Sequence, residues 1–212
     1  MISNPSTPLR WHSFEAPPAT ETLALIICEA GSLPHARSFA AHWASLVPGC
    51  AFAGLETNLA YRQIAFAPVR ELVEHETKRL GLDPLQIVLI GFGMAGQRAL
   101  DLALCNVLGN VSAIIVDLPP DGVVVGLPPA QGAFRFVQHH RDADPDGRFF
   151  EELIHTLRRS AIDIRTMILP VGVGATDRAI QTFLVELVAR ASRYHAVERS
   201  GHGVSSRAGD RA

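Results

Sequence analysis

Cysteine is scarce in this chain, and nowhere is it spaced for a metal. Cys28, Cys50 and Cys105 are the only three, with no C-x-x-C pair among them. They lie within or beside apolar segments, so buried free thiols in a reducing cytoplasm are expected, and no metal site. No apolar run approaches the ~20 residues that would cross a bilayer, so no membrane span is expected. Residues 1–21 lack an apolar core of the secretory type, so no signal peptide is expected. An excess of one charge is missing as well. The 19 Lys and Arg offset 21 Asp and Glu to leave −2, which gives no reason to expect nucleic acid or an anionic membrane as partner.

What is present is a globular composition. Of 212 residues, 48% are hydrophobic and 19% charged, enough for one domain with a substantial core. Residues 1–21 read as an irregular arm pinned by Trp11 and Phe14, residues 22–194 as one domain, and residues 195–212 as a polar, disordered tail. Within the domain, apolar runs at Leu23–Cys28, Cys50–Leu55, 86–91, Ser112–Val116, Phe134–Val137 and Ile164–Leu169 read as six strands. Helical spacing follows most of them, at Pro34–Leu46, Pro68–Leu80, 94–108, Gly147–Arg159 and after Thr176-Asp177, which can cap the last helix. Such alternation predicts an α/β fold: a mostly parallel sheet of about six strands between two layers of helices. A loop of ~15 residues, Pro119 to Gly132, is long enough to be functional.

The central stretch is Ile87-Val88-Leu89-Ile90-Gly91-Phe92-Gly93-Met94-Ala95-Gly96, a strand that turns sharply into a helix. Two kinds of chemistry use such a turn. One is dinucleotide binding through G-x-G-x-x-G, which Gly91, Gly93 and Gly96 match. Asp117 ends the next strand at a distance suited to a ribose, and an NAD(P) cofactor would follow. The other is the nucleophile elbow G-x-S-x-G, with Gly93 where serine would stand. Against the first reading, the turn sits on the third predicted strand, and Pro119-Pro120 follows Asp117 where a crossover helix would be expected.

From about Leu23 to Ala191 the order of elements resembles the phospholipase/carboxylesterase branch of the α/β-hydrolases. Leu89-Ile90-Gly91-Phe92-Gly93-Met94-Ala95-Gly96 is similar to its elbow, L-x-G-F-S-Q-G-G. Arg141-Asp142-Ala143-Asp144-Pro145 resembles its acid loop, and Leu169-Pro170-Val171-Gly172-Val173-Gly174-Ala175 falls on its histidine loop. The resemblance implies a small cytosolic esterase or thioesterase fold that needs no cofactor. It also implies Asp144 at the triad acid, Gly93 at the nucleophile and Ala175 at the base. The oxyanion segment falls on Cys28-Glu29-Ala30, and the second oxyanion donor on the N–H of Met94.

The reaction needs a hydroxyl and an imidazole together, and here both family positions lack them. The leading expectation is therefore a non-catalytic protein whose pocket holds a small acyl or aromatic ligand, or whose surface serves a partner in a homo- or hetero-oligomer. The alternatives are the NAD(P)-binding reading and an esterase using displaced residues. For the latter, Cys28 is a candidate thiol and His139 or His140 a candidate base; His202 reads as tail composition.

Overall fold

The computed structural model describes residues 9–14, 16–57, 66–119, 132–139, 148–170 and 174–202. In chain order the strands are β1 (Arg10–Ser13), β2 (Thr22–Glu29), β3 (Cys50–Thr57), β4 (Ile87–Phe92), β5 (Ser112–Val116), β6 (Ala133–His139) and β7 (Asp163–Leu169). The helices are α1 (Leu33–Ala44), α2 (Phe66–Leu80), α3 (Met94–Leu104), α4 (Arg148–Arg159) and α5 (Ala175–His202). The strands form one sheet in the order β1-β3-β2-β4-β5-β6-β7. All neighbours are parallel except β1, which runs antiparallel to β3 at the edge.

The six expected strands are all present, and the expected helices follow β2, β3, β4, β6 and β7. The seventh, β1, is a correction. Residues 10–13 of the supposed arm pair with Ala53 to Glu56, and Trp11 and Phe14 pack on opposite faces of the sheet. Two further corrections fall at α5. It runs to His202, through residues assigned to a polar tail; residues 203–212 lie outside the described part. Thr176 and Asp177 do not precede α5 as caps but stand inside its first turn, with their side chains bonded elsewhere. The segment Pro120 to Gln131 of the long loop is also outside the described residues.

The alternation of a pleated strand sorts the core into two layers. Leu23, Leu25 and Ile27 of β2, with Ile87 and Leu89 of β4, face α2, α3 and α4. Ala24, Ile26 and Cys28, with Val88 and Ile90, face α1 and α5. Strands buried on both faces are why these segments read as unbroken apolar runs rather than alternating ones. Each fully buried Leu or Ile contributes about 1.5–3 kcal/mol of apolar burial.

One exception matters for stability. Arg135 of β6 is wholly buried on the α5 face and reaches Glu186 of α5 at 2.6 Å and Asp163 of β7 at 3.3 Å. Among the described residues, no helix is long and apolar enough to cross a membrane.

The topology places a site before any side chain is considered. The chain leaves β2 through α1 to β3 on one side, then returns to β4 on the other side of β2. The crossovers diverge between β2 and β4, and a crevice opens beyond the carboxyl ends of those two strands.

Candidate functional site

The β4–α3 turn closes over this crevice, and its glycines are fixed by contact. A Cβ added at Gly91 would lie 2.4 Å from the carbonyl oxygen of Ala95, and one at Gly96 would lie 2.9 Å from that of Gly91. The strand and the first turn of α3 therefore approach as closely as their backbones allow. Gly93 is different: a Cβ there would meet nothing within 4 Å. Its constraint is conformational, with φ 55° and ψ −123°, a region side-chain-bearing residues enter only under strain. Its N–H donates to Val116 O at 2.8 Å, and its carbonyl accepts the N–H of Gln97 at 3.0 Å. The turn is thus an elbow with an open seat at residue 93.

A cavity of about 400 Å³ lies beside that seat. Cys28 and Glu29 of β2, His35 and Phe39 of α1, and Phe92 and Met94 of the elbow contribute to its wall. Phe39 stacks on Phe92 at 5.5 Å between ring centroids and on Trp43 at 5.3 Å, forming an aromatic side wall. Phe39 and Met94 remain 37% and 44% exposed, unusual for large apolar groups at a concave surface. Such a wall, with the N-terminal N–H groups of α3 nearby, suits an apolar ligand carrying one polar end.

The expected oxyanion residues divide. Met94 opens α3 and borders the cavity. The N–H of Ala30 is already engaged, donating to Thr57 O at 3.2 Å, and Glu56 takes the N–H of Gly31. Ala175 is the first residue of α5. Asp144, with Arg141 to Pro145 and His140, lies outside the described residues.

Cys28 borders the cavity but is poorly placed for nucleophilic work. Burial, helped by the charge of Glu56, pushes its thiol up to about 11, and its Sγ contacts Leu55 O at 3.7 Å. Cys50 is pushed up to about 12, again by burial. A thiol attacks as thiolate, so both should be inert near neutrality. Iodoacetamide at pH 7.5 is expected to modify the exposed Cys105 and to spare Cys28 and Cys50 until the protein is denatured. Peptide mass mapping before and after denaturation checks this, and prompt labelling of Cys28 in the native protein would contradict it.

Nor does the sheet bring Cys28 to His139. Strands β2 and β6 are three strand spacings apart, roughly 14 Å. His139 has other partners. Its Nδ1 lies 2.8 Å from Asp117 Oδ2, and its Nε2 lies 2.7 Å from Thr176 Oγ1. Asp117 is therefore engaged by the imidazole at the end of β6, and also by the backbone N–H of His139 at 3.0 Å. The sequence alone offers Asp117 as a ribose contact, His139 as a base for Cys28 and Thr176 as part of a helix cap. Nothing in their separation along the chain announces that they meet.

Among solved structures, the chain is similar to esterase PE8, with TM-score 0.65, 15% identity, and coverage of 84% of this chain and 99% of that one. It is similar to the Bacillus cereus carboxylesterase at TM-score 0.63 and 13% identity, covering 87% and 95%. An arylesterase matches at TM-score 0.59 and 12% identity, covering 89% and 86%. No family model and no curated protein matches the chain. The likeness is one of fold, and the fold is that of the α/β-hydrolases.

Proposed function

We propose that this chain is a ligand-binding protein on the α/β-hydrolase fold, of the carboxylesterase kind. It holds an acyl or aromatic group in the switch-point cavity, and no reaction takes place at its elbow. The observation that carries this reading is Gly93. The strained turn that would present a nucleophile is intact, the space in front of it is open, and no side chain occupies it. Ala175, at the position the resemblance gives to the base, offers no imidazole to activate one. The aromatic wall of Phe39 and Phe92 supports an apolar occupant, and the esterase character of the neighbouring structures supports an acyl one. Free thiols at Cys28, Cys50 and Cys105 support a cytoplasmic setting.

Calorimetric titration with octanoate and with phenylacetate tests the reading. Saturable binding of at least one is expected. Phe39→Ala should weaken it about 5- to 10-fold, because one face of the aromatic wall and its apolar contact area are removed. Absence of binding, or binding indifferent to Phe39→Ala, would count against the cavity as the site.

The alternative of an esterase with displaced residues loses Cys28 as its nucleophile. His139 has an aspartate on one side of its ring and a hydroxyl on the other, and that arrangement gives the alternative a different basis.

A further inference from the structure

We infer that Asp117, His139 and Thr176 form an acyl-transfer site beside the elbow, built from none of the elbow's own residues, with Thr176 as nucleophile, taking small-acyl esters as substrate. The three residues come from three elements. Asp117 follows the last residue of β5, His139 ends β6 and Thr176 lies in the first turn of α5. All are near the carboxyl edge of the sheet, and each keeps part of its surface exposed.

The hydrogen-bond distances suit one arrangement of protons. An ionised Asp117 can only accept, at 2.9 and 2.8 Å from His139 Nδ1, so the ring proton sits on Nδ1. In the neutral ring, Nε2 then carries the lone pair, and Thr176 Oγ1 at 2.7 Å donates to it. A carboxylate orients an imidazole, and the imidazole accepts from a hydroxyl. The arrangement is recognised by geometry and role rather than by position in the chain.

Two further observations belong to this site. Asp117 holds φ +51°, a left-handed conformation that is uncommon without glycine, and its carboxylate meets both the ring and the backbone N–H of His139. Strain retained at such a residue points to a role. The first turn of α5 is also anchored from outside. Asp177 accepts from Trp43 Nε1 at 2.7 Å and pairs with His42 Nε2 at 2.9 Å. This clasp ties the first turn of α5, which carries Thr176, to α1. The positive end of α5 lies beside Thr176, where charge on a substrate oxygen would develop.

The reaction balances with water as the only co-reactant. Thr176 Oγ1 attacks the ester carbonyl while His139 Nε2 takes its proton. The carbon–oxygen bond to the alcohol breaks, and the alcohol leaves with that proton. Water then attacks the threonyl ester, giving its proton to Nε2. The acid leaves as Thr176 recovers its hydrogen. Asp117 is a positioning residue: it touches the imidazole and not the substrate.

The test is hydrolysis of p-nitrophenyl acetate by the full-length protein, together with mass spectrometry after treatment with a fluorophosphonate. Wild-type turnover above the buffer rate is expected, with the adduct on Thr176 in the tryptic peptide 166–178. Thr176→Ala and His139→Ala should each lower kcat by ~100-fold or more, while Thr176→Ser retains activity. Asp117→Asn should lower kcat with KM little changed, since it disturbs the tautomer and not the binding. No turnover by folded wild type, turnover unaffected by Thr176→Ala, or an adduct elsewhere would each overturn the proposal. The wild-type adduct decides the matter even if a variant fails to fold. Octanoate or phenylacetate binding sensitive to Phe39→Ala would survive such a failure, so the two proposals fall separately.

Discussion

Gly91→Ala is expected to destabilise the protein by about 4 kcal/mol or more, whereas Gly93→Ser, two residues on, should cost only ~1–2 kcal/mol. The contrast follows from what each new Cβ would meet. At Gly91 it would lie 2.4 Å from Ala95 O, 2.5 Å from Ala95 C and 2.6 Å from Gly96 N. All three are backbone atoms in the first turn of α3, and none can rotate aside. The helix would have to lift off the end of β4, breaking its packing on β5, where Gly96 approaches Ile115. At Gly93 the added atom enters open space, and only the positive φ is paid for. For a domain of this size, each kcal/mol moves the melting temperature by roughly 2–4 °C. Thermal unfolding should therefore fall by roughly 8–16 °C or more for Gly91→Ala and by ~2–8 °C for Gly93→Ser. Equal shifts for the two would mean that the elbow is not the close strand–helix contact described above. A mild Gly93→Ser would show that a side chain at the seat is sterically acceptable. The absence of serine there is then a matter of chemistry and not of packing.

The same elbow shows how far the sequence could be read. Gly91-Phe92-Gly93-Met94-Ala95-Gly96 after an apolar run announces a strand, a tight turn and a helix, because few other residues permit such an approach. The six long strands were equally legible, since burial on both faces leaves continuous apolar runs. β1 was not. Arg10-Trp11-His12-Ser13 is a short edge strand with one side open, and four mixed residues carry no period that distinguishes them from an arm. The Asp117–His139–Thr176 contact was illegible for another reason. It depends on strand order and register, which bring three loop-end residues together across two strand spacings. Local pattern assigned each residue a separate and sensible role. A Thr-Asp pair before a helical run is a good capping signal, and only the tertiary partners of both side chains draw them away from it.

Arg135 is a residue whose burial the sequence does not announce, and it carries the second large effect. It stands inside the apolar run Phe134–Val137 and is fully buried under α5. Its Nη2 donates to Glu186 Oε1 at 2.6 Å, Nη1 and Nη2 reach Asp163 at 3.3 Å, and Nη1 donates to Phe134 O at 3.0 Å. Arg190 also pairs with Asp163, and Arg165 reaches Glu186 at 3.4 Å. Arg135→Leu keeps much of the volume but leaves two carboxylates facing an apolar side chain. Breaking a buried pair from one side costs ~3–5 kcal/mol. Because Asp163 and Glu186 are partly exposed and keep Arg190 and Arg165, the low end is expected, about 3 kcal/mol. That is a fall of roughly 6–12 °C in melting temperature. The pH dependence separates charge from packing. Burial alone would raise the carboxyl of Asp163, but the hydrogen bond and charge of Arg135, aided by Arg190, outweigh it and hold it below its ordinary value. A carboxyl lowered by folding adds stability above its unfolded value of about 3.9 and loses it as the pH falls through the folded value. The gap between wild type and Arg135→Leu should therefore narrow as the pH is lowered from about 5 towards 3. Urea unfolding at several pH values measures it. A gap that stays constant would assign Arg135 to packing alone, with its carboxylate partners contributing nothing.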